Sequence, residues 1–228
     1  MKRFAIVLIL VLLAAGAQAQ TVYDMRTDLI AEDTAVQVQN LVVTGFYSNG
    51  VFVSEAPYDA YRSIWVYMGS GLDEYPNPGD VISLEGIFKL YFGLYEIDTS
   101  GGTWQVTGNM ELPAPNELTA ADLADPALAA PYMCSLVHIS EQLTFSSLAS
   151  FGEWFATADD VALSEVMFDN FWFETPLEED LGACFDGATG CLNFSFDAFK
   201  LAAFEDGLTP CVVGTEDASF GSVKSLYR

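Results

Sequence analysis

Basic residues are the scarcest class in this chain. Eight Lys and Arg stand against 32 Asp and Glu, a formal net charge of −24, and there is one histidine, His138. Nucleic-acid affinity comes largely from Lys and Arg neutralising phosphates, so this balance opposes nucleic acid as a partner. It suits cations, high salt or a basic partner. A single histidine offers no His-based acid–base pair, and on its alternating strand His138 reads as a packed or rim side chain. The sequence contains no G-x-S-x-G elbow, no H-E-x-x-H and no phosphate loop ending in Gly-Lys-Ser/Thr. Carboxylates are everywhere, but nothing singles out a pair. A non-enzymatic protein is expected.

Cysteine is absent from the first half, and all four lie later, at Cys134, Cys184, Cys191 and Cys211. No C-x-x-C occurs, which argues against zinc. After Ala19 no apolar run approaches the roughly 20 residues needed to span a bilayer, so no membrane span is expected. The one apolar run, Phe4 to Ala15, follows Lys2 and Arg3 and precedes Ala17-Gln18-Ala19. That is the pattern of a secretory leader cleaved before Gln20. It implies a secreted protein, extracellular or at the cell surface, with the periplasm as the other destination. Losing Lys2 and Arg3 makes the balance still more acidic.

What is present is apolar and aromatic: 51% hydrophobic residues, with 17 Phe and 10 Tyr. That content means a folded core under an acidic skin rather than disorder. It is organised as a repeat. Gly86-Ile87-Phe88-Lys89-Leu90-Tyr91-Phe92-Gly93-Leu94-Tyr95-Glu96-Ile97 returns in pattern 104 positions later, from Gly190 to Leu201. In both copies a glycine opens an alternating strand, a tight turn follows an aromatic residue, and a second strand returns.

Alternation and turn residues predict strands over 34–53 (broken by a turn at Tyr47-Ser48-Asn49-Gly50), 63–67, 81–91 with a bend at Gly86, and 94–97. Five strands with a bent fourth describe a small closed barrel. Thr119 and Asp122 predict a short helix start. A second set of strands is expected at 134–139, around Gly152-Glu153-Trp154-Phe155, and at 166–173, 184–196 and 198–204. The fold class expected is all-β: two tandem five-stranded barrels with a short connecting helix. The division is a leader over 1–19, a barrel over 20–111, a linker over 112–131 and a divergent barrel over 132–228.

The residues Val42-x-Thr44-Gly45, Gly50-Val51-Phe52-Val53, Tyr61-x-Ser63-Ile64-Trp65-Val66-Tyr67, Gly79-Asp80-Val81, Glu85-Gly86 and 91–97 carry a resemblance. They resemble the OB-fold-like domain that accompanies secreted bacterial endonuclease/exonuclease/phosphatase-type nucleases. The stretch from Pro113 through Tyr132 to Trp154 is similar to the divergent second barrel of those proteins. The resemblance implies OB-like barrels. It does not imply nuclease activity, because the catalytic domain and its histidines are absent from this sequence.

Two disulfides are expected from the secreted context and the even cysteine count. Cys184 and Cys191 lie seven residues apart on one extended stretch, about 23 Å at strand rise, too far to pair. A turn near Phe196-Asp197 puts Cys184 opposite Cys211, which leaves Cys134 for Cys191.

OB folds bind ligands on a curved sheet face with aromatic platforms. The candidate ligand residues are Tyr61, Trp65, Tyr67, Lys89 and Tyr91. Hard oxygen ligands for Ca²⁺ are available at Asp24 with Asp28, at Asp73 with Glu74, and at Glu178 with Asp180, none with EF-hand spacing. The leading expectation is surface assembly or binding, as a matrix, filament or appendage subunit. The partner would be another copy or another surface protein, aided by divalent cations. The N-terminal Thr21–Ile30 segment would pack on its own barrel or extend a neighbour's sheet. The alternative is an accessory module for single-stranded nucleic acid or oligosaccharide beside a separate nuclease.

Overall fold

The computed structural model describes residues 20–173 and 176–211. The expected leader lies outside the described residues. The chain opens with α1, Val22–Arg26, which has a reciprocal capping box between Thr21 and Asp24. The segment therefore packs on its own barrel: Val22 and Met25 are fully buried in that barrel's core. The strands β1 Ala35–Tyr47, β2 Gly50–Ser54, β3 Ser63–Tyr67, β4 Asp80–Tyr91 and β5 Leu94–Asn109 follow. They close in the order β1-β2-β3-β5-β4, with β4 returning to β1.

The second half repeats the plan. A short β6, Asn116–Glu117, leads to α2, Ala120–Ala124, and α3, Pro126–Ala129. Thr119 and Asp122 form the same capping box as Thr21 and Asp24. Then come β7 Leu136–Leu148, β8 Trp154–Ala158, β9 Glu165–Asp169, β10 Cys184–Ser195 and β11 Ala198–Pro210. Their order is β7-β8-β9-β11-β10, with β10 paired back to β7 and the two-residue β6 added in parallel to β7. Both units share one closed five-stranded topology, including the parallel contacts β3–β5 and β9–β11. These are two tandem OB-like barrels, each plugged by a capped helix lying just before its first strand.

The repeated glycine has a steric cause. At Gly86 a Cβ would sit 2.7 Å from the Asp98 carbonyl oxygen, and at Gly190 only 2.0 Å from that of Ala202. The pairing register shifts next to both. Only a residue without a side chain lets the neighbouring strand approach so closely while the barrel turns its corner.

Three expectations are corrected. Cys184 pairs with Cys211 as expected, but Cys134 and Cys191 are both unpaired and buried. Elimination assigned them to each other, yet both sit in the apolar seam between the barrels, beside Phe52 and Trp65. The strand expected over 166–173 ends at Asp169, because Phe171 and Trp172 leave the barrel to pack on the first one. The closing strand of the first barrel runs on to Asn109, well past Ile97. No helix among the described residues is long and apolar enough to cross a membrane.

Candidate functional site

The two barrels meet along an aromatic seam. Tyr47 stacks on Phe171 at 3.7 Å and 5°, and the Trp172 indole N–H donates to the Phe46 carbonyl at 2.6 Å. Arg26 locks the seam from α1. Its guanidinium donates to the carbonyls of Ser63 at 2.6 Å, Met133 at 2.8 Å and Ala130 at 2.6 Å. It also lies 4.9 Å over the Tyr95 ring. Burial pulls its pKa downward.

Seam formation decides the fate of the predicted aromatic platform. Trp65 is 9% exposed, edge-on to Phe52, with most of its surface closed by packing. Strand alternation gives the side a residue faces, not whether another domain covers that side. What remains open is a cleft of about 1010 Å³ between the barrels. Trp65, Tyr67, Lys89 and Tyr91 all line it. Tyr61 does not: it lies half-buried under α1, edge-on to Tyr23 at 6.4 Å.

The rim of the cleft is built from the two repeated hairpins. Their tips dock on each other, with Gly93 against Phe194; a Cβ at Gly93 would come within 2.7 Å of that ring. Phe92 and Phe196, equivalent in the repeat, are 79% and 80% exposed. The sequence shows the repeat and its aromatic turns, but neither ring is among the ligand residues expected from it. Both turns have positive φ at their two central residues, 49° and 85° at Phe92-Gly93, 52° and 60° at Phe196-Asp197. That backbone is a tight hairpin turn which ordinarily takes Asn or Gly, not phenylalanine.

The floor carries charge. Lys89 is ion-paired with Asp98. Its cross-strand neighbour Glu96 is 8% exposed and lines the cleft without a hydrogen bond or ion pair among the described residues. Burial, reinforced by Asp98, pushes its pKa up to about 7. In the second barrel the position equivalent to Glu96 is Lys200, 1% exposed and ion-paired with Glu153.

The candidate calcium ligands are scattered. Asp24 is spent on capping α1, and Asp180 accepts from the Leu177 N–H at 2.8 Å. Asp28, Asp73, Glu74 and Glu178 are exposed. None of these six belongs to a group of three converging ligands among the described residues; the group that does converge, Cys184, Asp186 and Cys211, contains the disulfide. The His138 ring shares a 2.8 Å hydrogen bond with the Thr189 hydroxyl.

No family description matches the sequence, and neither does any curated protein. Among solved structures, the hypothetical protein ygiW from E. coli is similar at a TM-score of 0.30 and 16% identity, covering 39% of this chain and 90% of that one. The Ifi202 HINa domain, solved in complex with 20 bp dsDNA, is similar at 0.34 and 13%, covering 75% and 92%. These likenesses are too distant to bear on function, and the strand order itself defines the fold.

Glu96 sets a pH dependence. Its folded pKa is raised, so its contribution to stability is full below the unfolded value of 4.5 and is lost as pH rises through about 7. Glu96→Gln removes that loss. In urea denaturation the variant should match the parent near pH 4.5 and exceed it at pH 8, by on the order of 1 kcal/mol once solvent screening at the open cleft is allowed for. Equal stability at both values would show that the carboxyl is solvated.

Proposed function

We propose that this is a secreted, non-enzymatic protein that works by binding at the cell surface, with the inter-barrel cleft as its binding face. The observation that carries this reading is the pair of exposed phenylalanines at the hairpin tips, held in a backbone conformation that costs energy. Neither ring is needed to fill a core. The leader pattern and the acidic surface fit a protein working outside the cytoplasm.

Nucleic acid fits this cleft poorly. Each described basic side chain is already committed: Arg62 to Glu55, Lys89 to Asp98, Lys200 to Glu153, and Arg26 to three carbonyls. These commitments favour the oligosaccharide form of the accessory-module alternative, beside a separate nuclease, over its nucleic-acid form. Divalent cations, Ca²⁺ included, enter the proposal as screening ions for the acidic surface.

A second observation favours self-assembly. From Thr103 to Asn109, β5 pairs with β4 on one edge and with nothing described on the other. The whole stretch from Thr99 to Asn109 carries no charge. The corresponding edge of the second barrel is guarded by Glu205, Asp206 and Pro210, the usual protection against edge pairing. Two chains at −24 repel everywhere except over such a neutral strand, so the occupant proposed for this edge is a second copy.

Each arm has its own test. Phe92→Ser with Phe196→Ser should cut binding of the labelled protein to producing cells on the order of tenfold or more, with Tm unchanged. Unchanged binding, or no surface binding by the parent, contradicts the cleft. For the edge, sedimentation should show a parental dimer, and both Val106→Lys and Val106→Glu should shift it to monomer. An equimolar mixture of the two should restore the dimer. A monomeric parent, or variants that dimerise normally, would remove β5 from the account.

A further inference from the structure

We propose that the cleft binds an alkylammonium group, held by the Glu96 carboxylate and the rings of Trp65, Tyr67 and Tyr91. This rests on the reading of the cleft as the binding face and names the chemistry it takes.

Three observations converge. Glu96 is 8% exposed as a whole residue, its carboxylate opens on the cleft, and it has no hydrogen-bond or ion-pair partner among the described residues. A carboxylate largely withdrawn from solvent costs free energy unless a cation or donors meet it. The nearest internal candidate, Lys89, turns to Asp98 instead. Second, the walls are aromatic. Trp65 is the register partner of Glu96 on the adjoining strand, and Tyr67 and Tyr91 line the same space. Electron-rich ring faces beside one acid are the recurring receptor for ammonium groups.

The third observation comes from the repeat. The second barrel places its own ammonium at the equivalent position. Lys200 Nζ is paired with the Glu153 carboxylate, lies 2.9 Å from the Ser195 hydroxyl, and sits 5.1 Å from the centre of the Phe196 ring. Acid, aromatic ring and ammonium are all present there within one chain. The first barrel has the rings, but its unpaired acid, Glu96, stands where the second barrel has the lysine, and the residue 104 positions before Glu153 is the uncharged Asn49. The charges are therefore reversed at this position, and an ammonium from outside supplies the partner that the first barrel lacks.

The acidic surface raises the local concentration of such a ligand. The groups facing Glu96 are Asp98 on its own strand, Lys89 on β4, and the Cys134 thiol from the segment entering the second barrel. Trp65, its register partner, and Tyr67 line the same cleft from β3. Burial pushes the Cys134 thiol up to about 12, so it stays neutral. Lys89 and Asp98 hold each other ionised. The group that titrates near neutrality is Glu96, and the ligand binds its ionised form.

Two sources share this chemistry, a lysine side chain and a quaternary ammonium headgroup. The test is tryptophan fluorescence titration of the full chain with choline, with Nα-acetyl-lysine methylamide, and with 3,3-dimethylbutan-1-ol, the uncharged counterpart of choline. At least one cation should bind and the alcohol should not. Whichever cation binds more tightly identifies the source. Affinity should rise on the order of tenfold from pH 5.5 to pH 8, and Glu96→Gln should lose on the order of tenfold at pH 8 while keeping the fold. The alcohol binding as well as choline, or Glu96→Gln binding as well as the parent, overturns the inference. So does the absence of any cation binding. If the Phe92 and Phe196 substitutions still abolish cell binding, the cleft remains the binding face and only its ligand class falls.

Discussion

One buried guanidinium holds the molecule in the shape on which everything else depends. Arg26 is 4% exposed and has no carboxylate partner among the described residues. Burying a charge is costly unless its donors are met. Here the carbonyls of Ser63, Ala130 and Met133 meet the donors of its two terminal nitrogens, with the faces of Tyr95 and Tyr61 alongside, while Nε is buried without a hydrogen-bond partner among the described residues. Ser63 begins a strand of the first barrel; Ala130 and Met133 belong to the segment that enters the second. One side chain from the N-terminal helix therefore fixes both barrels to each other. The aromatic seam beside it supplies apolar burial, but rings alone tolerate sliding. The three directed hydrogen bonds fix the angle.

That angle creates the cleft. Duplicated barrels joined by a loose linker would leave two separate hairpins. Docked as they are, the hairpins touch through Gly93 and Phe194 and present Phe92 and Phe196 around one opening. The two copies then differ where chemistry is concerned. The buried position across from Lys89 and Asn193 is a carboxyl in one barrel and an ammonium in the other. The second barrel satisfies its charge internally. The first leaves its charge facing the opening, and the binding proposal follows from that asymmetry.

Much of the fold is legible in the residues because barrel strands obey local rules. Alternation at Val36 and Val38, the bend at Gly86 and the capping pair Thr119–Asp122 each report a short-range constraint. Cys184 and Cys211 follow from hairpin geometry alone. Helix α1 carries the same Thr-x-x-Asp signature as α2 and could have been found by comparing the two. What stays hidden is non-local. Nothing near Cys134 or Cys191 in sequence says that another barrel closes over them. Nor does the run Phe171-Trp172 announce that it leaves its strand to cover Tyr47 and Phe46. Alternation marks the outer face of β3 as aromatic but says nothing of the second barrel that covers it. For the same reason Glu96 passed as an ordinary strand carboxylate until the fold buried it.

The central claim is that Arg26 makes one cooperative body out of two barrels. Calorimetric unfolding of the parent and of Arg26→Met tests it most directly. The account predicts a single transition in the parent whose calorimetric and van't Hoff enthalpies agree, and two separated transitions in the variant, one for each barrel. Two transitions in the parent, or one unshifted transition in Arg26→Met, would contradict it.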